Sequence, residues 1–339
     1  MIKHFKKQQG VALIVVLLIV AIIAVVAIDI TSRNQLAVRR TLNLAQYDQA
    51  YWYALSSEEL AKKVLKQDLD DAEGKVHLQQ YWAQSDVLFP VENGQISGKI
   101  TDMRACFNIN GLNASIASTG NTGNKNNNQS PKKLPLAGEQ FAGLLIALGM
   151  DPFTAEALAI SLKDYISSDS TSSGLSSGDA AYESRDVPYR AARTVMNHRS
   201  ELRAVLGFTQ EAYLKLVPYI CAIPGNNKQL LNVNTITVEQ APLLAGMLQN
   251  KVSVGEAESI INQRPGNGYD TIDDFWNLSE LSALQSQTLL KSSFVVKSEY
   301  FLLDGGAKVD DAIFRLESVL KVAKNNYVEV LTRQYGGQK

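Results

Sequence analysis

The sequence predicts an α+β fold: one very long N-terminal helix, an antiparallel sheet, and a large α-helical domain inserted into that sheet. Three observations carry this. Apolar residues recur at helical spacing from Val11 to about Leu69. Alternating, strand-like segments stand at both ends of the remaining chain. Roughly 180 residues of mostly helical pattern separate those strands.

The first helix opens abruptly. Residues 1–10 are short and basic, with Lys3, Lys6 and Lys7, and end in Gly10. From Val11, residues 11–28 then run without a charge or a strong polar group. At about 1.5 Å per residue that run covers roughly 27 Å, close to the hydrocarbon thickness of a bilayer. The lysines before it predict a cytoplasmic N-terminus and an exported body. A cleaved secretory signal has a shorter apolar region, of about 7–15 residues, and a small-residue cleavage site after it. The run has no such boundary, and a plain signal anchor fits its hydropathy. Periodicity continues outside the membrane through Leu44, Tyr47, Tyr51, Ala54, Ala61, Val64 and Leu65, one stripe of a helix, with Glu58, Glu59, Lys62 and Lys63 assigned to the other positions. Such a helix exceeds about 80 Å, and its second half needs a folded body to bury against.

Beyond Asp71 the pattern changes. Glu92-Asn93-Gly94-Gln95 is a hairpin signal, since Asn-Gly takes positive φ readily, with strand-like residues 87–91 and 96–110 around it. Residues 113–133 are poor in large apolar groups and read as a surface loop. Helices are predicted at 140–148, from Asp151-Pro152 through Tyr165, and near 200–206, 209–216, 238–248 and 255–263. Asp151 followed by proline is a strong helix start. Strands return at 294–303, 312–322 and 327–335, separated by Asp304-Gly305-Gly306 and Asn325-Asn326. In the middle strand Phe314, Leu316, Leu320 and Val322 share one face, with Arg315, Glu317 and Lys321 on the other. A faint internal repeat runs through the helical part: Phe107-Asn108-Ile109-Asn110 parallels Leu231-Asn232-Val233-Asn234, and 201–223 parallels 273–296.

Composition excludes several function classes. The formal net charge of -1 gives no electrostatic footprint for nucleic acid. The three histidines, His4, His77 and His198, are too scattered for a histidine-based zinc site. No Gly-rich phosphate loop or nucleophile elbow is present, so the chain is expected to have no catalytic residues. Cys106 and Cys221 form one disulfide if the body is exported, and are buried thiols otherwise. Asp169, Asp179, Glu183 and Asp186 lie in a Ser/Gly-rich stretch, 167–186. Such carboxylates usually face water, yet oxygen-rich loops also hold hard cations such as Ca²⁺. The spacing is not that of an EF-hand.

A basic leader ending in Gly10 and abutting an apolar run resembles a type IV prepilin. That resemblance implies cleavage after Gly10 by a prepilin peptidase, methylation of Val11, and retention of the helix in the inner membrane. The order of Phe107-Asn108-Ile109-Asn110, Pro188-Tyr189-Arg190-Ala191-Ala192, Glu201-Leu202-Arg203 and Leu231-Asn232-Val233-Asn234-Thr235 is similar to the K-type minor pseudopilins of the bacterial type II secretion system. The resemblance covers nearly the whole chain. The fifth residue after the implied cut is Val15, where most pilins carry glutamate; the K-type family is noted for lacking it. A carboxylate in lipid needs a partner, so its loss suits a subunit at the tip. The resemblance further implies a pilin-like body, I- and J-type minor pseudopilins and the major pseudopilin as partners, contact with secreted cargo, and Ca²⁺ at the acidic loop, although Ser167 stands where an acidic residue is expected.

The expected organisation is therefore a leader over 1–10, a long helix over 11–72 with its transmembrane half at 11–30, a first part of the body over 73–110, an inserted helical domain over 111–291, and closing strands over 292–339. Two alternatives stand beside this reading. One is a minor pilin of a type IV pilus. The other is a membrane-bound DNA receptor with helix-hairpin-helix units, which 231–278 resembles. Its connector, 248–255, has a single glycine with Glu256 beside it, a departure from phosphate-binding turns.

Overall fold

The computed structural model describes residues 11–84, 87–113, 134–168 and 178–336. Helix α1 (Val11–Asp71) is unbroken over 61 residues. Its buried face begins at Ala50 and continues through Ala54, Ser57, Glu58, Ala61, Leu65, Asp68 and Leu69. Ala50 and Ala54 pack against Ile96, Ala307, Val309, Phe314 and Leu316 of the sheet. Leu65 and Leu69 pack with Trp82, Phe301, Leu303 and Leu320. Each such large side chain contributes about 1.5–3 kcal/mol by leaving water. Leu44, placed in the stripe by spacing, is exposed instead, because the sheet ends before reaching it.

The sheet has five antiparallel strands in the order β1 (Val87–Val91), β2 (Gly94–Asp102), β7 (Tyr300–Val309), β8 (Ala312–Val322) and β9 (Val328–Tyr335). In β8, Phe314, Leu316 and Leu320 are buried while Arg315 is exposed, the alternation expected. Two glycine signals act differently from their sequence reading. Asp304-Gly305-Gly306 is no turn; it lies inside β7, and a Cβ on Gly305 would sit 2.7 Å from Ser57 Oγ of α1. The glycine is there for helix-on-sheet approach, and the chain turns later, at Asp310 with φ 48°. At the first hairpin Asn93 carries the positive φ of 58°, whereas a Cβ on Gly94 would strike the Lys308 carbonyl oxygen of β7.

Between β2 and β7 the chain leaves the sheet and builds two similar helical units. The first is framed by β3 (Phe107–Asn108) and β4 (Ile220–Cys221), paired in parallel. The second is framed by β5 (Leu231–Asn232) and β6 (Phe294–Val295), also parallel. Asn110 clamps the Met196 backbone on both sides, accepting from its N–H at 2.8 Å and donating to its carbonyl at 2.8 Å. Asn234 does the same to Tyr269, at 2.8 and 3.0 Å. The repeat is thus a repeat of buried hydrogen-bond hooks. Because Phe107-Asn108 and Phe294-Val295 belong to these units, the five-stranded sheet stops at Asp102 and resumes at Tyr300, rather than running to 110 and from 292.

The first unit carries α2 (Leu136–Ala147), α3 (Pro152–Ile166), α4 (Gly178–Glu183) and α5 (Gln210–Leu216); the second carries α6 (Ala241–Met247), α7 (Val254–Asn262), α8 (Ile272–Trp276) and α9 (Thr288–Lys291). Asp151 caps α3, accepting from Thr154 N–H at 2.9 Å. The units are stitched through α2 and α6. Gln140 donates to the Met247 carbonyl and Asn250 to the Gly143 carbonyl, each at 3.0 Å. A disulfide joins Cys106 to Cys221, closing the first unit beside β3 and β4.

Candidate functional site

Most of the exposed apolar surface belongs to α1. Every side chain from Val11 to Leu44 is exposed, and Leu17 and Ile28 stand 59% and 70% open. No folded protein in water presents such a surface, so it needs lipid or neighbouring helices. The apolar run is the one helical stretch among the described residues long and apolar enough to cross a membrane. It ends at Asp29, paired with Arg33 at 2.8 Å one turn on. Val15 is exposed like its neighbours. Val11 opens the helix; Gly10 lies outside the described residues.

How the rod is fastened to the body was not legible in the sequence. Glu58, placed off the apolar stripe by its spacing, is 1% exposed. Both its oxygens accept from Arg333 of β9 at 2.8 Å, and Ser318 of β8 donates to it at 2.7 Å. Burial alone would raise the carboxyl pKa, but Arg333 and Ser318 outweigh it and hold Glu58 below the usual glutamate value. This contact therefore stabilises the fold above the ordinary glutamate range, about pH 4.3, and the contribution is lost as pH falls through the lower folded value. Glu58→Ala is expected to cost about 1.5–3 kcal/mol, less than a fully buried pair because Arg333 is 41% exposed. Glu58→Gln should flatten the acid limb of a stability–pH curve measured by urea unfolding.

A second polar hub joins the sheet to the helical units. Asp102, at the end of β2, is 2% exposed. Its carboxylate accepts from Thr235 and Ser298 hydroxyls at 2.6 Å, Arg104 N–H at 2.7 Å and Asn232 Nδ2 at 2.9 Å. Burial pushes this carboxyl above its usual value despite the four donors. Both chain crossings between body and helical part meet here: residues 102–104 going out and Ser298 coming back.

The acidic loop is only partly described. Asp169 lies outside the described residues. Asp179, on α4, pairs with Arg193 at 2.9 Å, and Glu183 with Arg190 at 3.0 Å; Asp186 is exposed. Among the described residues no three His, Cys, Asp or Glu side chains converge as a metal site would require.

The α6–α7 connector is closed by its own side chains. Gln249 and Asn250 take positive φ, and Ser253 caps α7 while Glu256 Oε2 accepts from the Ser253 N–H at 2.8 Å. A carboxylate thus occupies the turn where a phosphate-binding hairpin would hold its anion.

Comparison with known proteins agrees with this geometry. Two family profiles, both described as type II secretion system (T2SS) protein K, match residues 105–225 and 231–297, limits that just enclose the two units. The type II secretion system protein K of Aeromonas hydrophila is 36% identical over 341 residues, 98% of each chain. That of Pectobacterium carotovorum subsp. carotovorum is 34% identical over 333 residues, again 98% of each. A solved chain from the GspK-GspI-GspJ complex of enterotoxigenic Escherichia coli superposes with a TM-score of 0.76 at 31% identity, covering 88% of this chain and 100% of that one. These matches span rod, sheet and both helical units, and the chain belongs to the type II secretion system protein K family.

Proposed function

We propose that the chain is a minor pseudopilin whose role is structural rather than enzymatic. Its apolar rod crosses the inner membrane once with the N-terminus in the cytoplasm, and the sheet and helical units stand in the periplasm. There it joins I- and J-type partners and the major pseudopilin at the tip of a pseudopilus, starting or capping assembly during export of folded cargo. The observation that carries this is a rod open along its whole apolar length yet locked to a folded body through Glu58 and Arg333. The complex of the Escherichia coli relative, solved with GspI and GspJ, supports the partner assignment. Photocrosslinkers at exposed Leu44 and Trp52 test it. Adducts with the I- and J-type subunits are expected; adducts confined to lipid or to unrelated proteins contradict it.

We further propose that the loop 167–186 takes Ca²⁺ through Asp169, Asp179, Glu183 and Asp186. The donor chemistry suits a hard cation, but the arginines now holding Asp179 and Glu183 would have to be released. A cation binding only the folded state at 100 times its Kd adds about 2.7 kcal/mol. Millimolar Ca²⁺ should therefore raise the Tm of the full chain, and Asp179→Asn should abolish the rise. An unchanged Tm in the unaltered protein contradicts the proposal.

A further inference from the structure

Beside the Asp102 hub, a cleft of about 390 Å³ opens between the 225–230 loop and the start of β7. Arg104 lines it and is 3% exposed. Its backbone is fixed from both directions, the N–H on Asp102 at 2.7 Å and the carbonyl accepting from Asn232 N–H at 2.8 Å. One guanidinium N–H donates to the Lys228 carbonyl at 3.2 Å, and the group lies 5.2 Å from the Tyr300 ring centre. Its other four N–H groups meet no protein acceptor among the described residues, and the side chain lines the cleft. Burial pulls this guanidinium below its ordinary pKa, and the nearby carboxylates of Asp102 and Glu299, neither in ion-pair contact with it, offset that only in part. Lys228 and Lys297 line the same cleft, both exposed; the Lys297 ammonium also reaches the Glu73 carbonyl at 3.4 Å.

We propose that this cleft is a docking site for a carboxylate, the glutamate or aspartate side chain of a protein partner, with Arg104 as its reader. A planar guanidinium anchored by one N–H on the Lys228 carbonyl and lying 5.2 Å from the Tyr300 ring centre presents a fork matched to a carboxylate. The walls formed by Tyr300, Leu230 and Val295 suit the methylenes of an acidic side chain better than a bare inorganic ion. Glu299 on the rim repels any anion, but a dianion such as phosphate more strongly than a singly charged carboxylate. The site stands on these contacts alone and does not depend on which partners the chain assembles with.

The test uses the full chain, ¹⁵N-labelled at arginine in detergent micelles, with the Arg104 Nε–Hε resonance identified by its loss in Arg104→Lys. The probe is glutamate capped at its α-amino and α-carboxyl groups. A saturable shift of that resonance at concentrations on the order of millimolar is expected, with capped glutamine inert. The Lys228→Gln/Lys297→Gln variant, altered only at exposed positions, should weaken binding at least threefold. No shift with capped glutamate, an equal shift with capped glutamine, or unchanged affinity in the double lysine variant would overturn the site. Inorganic phosphate binding as tightly as the capped glutamate would overturn the assignment to a carboxylate.

Discussion

Replacing Asp102 with alanine is expected to lower stability by about 3–5 kcal/mol, among the largest losses available from a single side chain. The substitution strands two hydroxyls, an amide and a backbone N–H in a site that water barely reaches. The loss should be local before it is global. Amide exchange should quicken first at 103–104, 232–235 and 298, the segments the carboxylate ties together, while α1 stays protected against the sheet. Asp102→Asn keeps the shape and an oxygen for the Arg104 N–H, and the two hydroxyls can turn to accept from the new NH2, so its cost should be smaller. Uniform loss of protection in Asp102→Ala, with the sheet as affected as the junction, would mean the hub does not join two separately packed parts.

Removing the disulfide has a comparable effect by a different route. Cys106 and Cys221 are 115 residues apart, so their bond withdraws much freedom from the unfolded chain. In the chain-entropy picture this is worth about 3–5 kcal/mol. Cys106→Ser/Cys221→Ser should lower the urea midpoint with little change in the folded contacts of β3 and β4. A reductant should reproduce the loss in the unaltered protein and leave the double variant unmoved. A double variant as stable as the parent would contradict the account.

What was legible in the sequence was whatever is written locally. An uncharged run of apolar residues marks a membrane-length helix without help from any other segment. Asp151 before Pro152 announced a helix start, and the alternation through Phe314, Leu316 and Leu320 announced a half-buried strand; both stand in the structure. What was not legible depends on partners far along the chain. Glu58 looks like a solvent residue among Glu59, Lys62 and Lys63 until Arg333, 275 positions later, is brought beside it. Asp102 likewise finds Thr235 and Ser298 at separations of 133 and 196. Gly305 misled for a related reason: glycine marks close approach as well as turns, and the approaching group, Ser57, lies on another element. The internal repeat was visible through its Asn-x-Asn segments, but why asparagine recurs became clear only when Asn110 and Asn234 were seen gripping Met196 and Tyr269. Of the acidic loop, the sequence showed the oxygen-rich composition but not the arginines facing it.

The central claim is that the apolar end of α1 is trimmed on its cytoplasmic side and then kept in the membrane, where sibling helices cover it. Intact-mass measurement of the chain extracted from membranes of peptidase-competent cells tests this most directly. The account predicts a polypeptide beginning at Val11, methylated on its new amino group and still carrying residues 11–28. A chain that retains Met1 through Gly10, or one that has lost the apolar run, would contradict it.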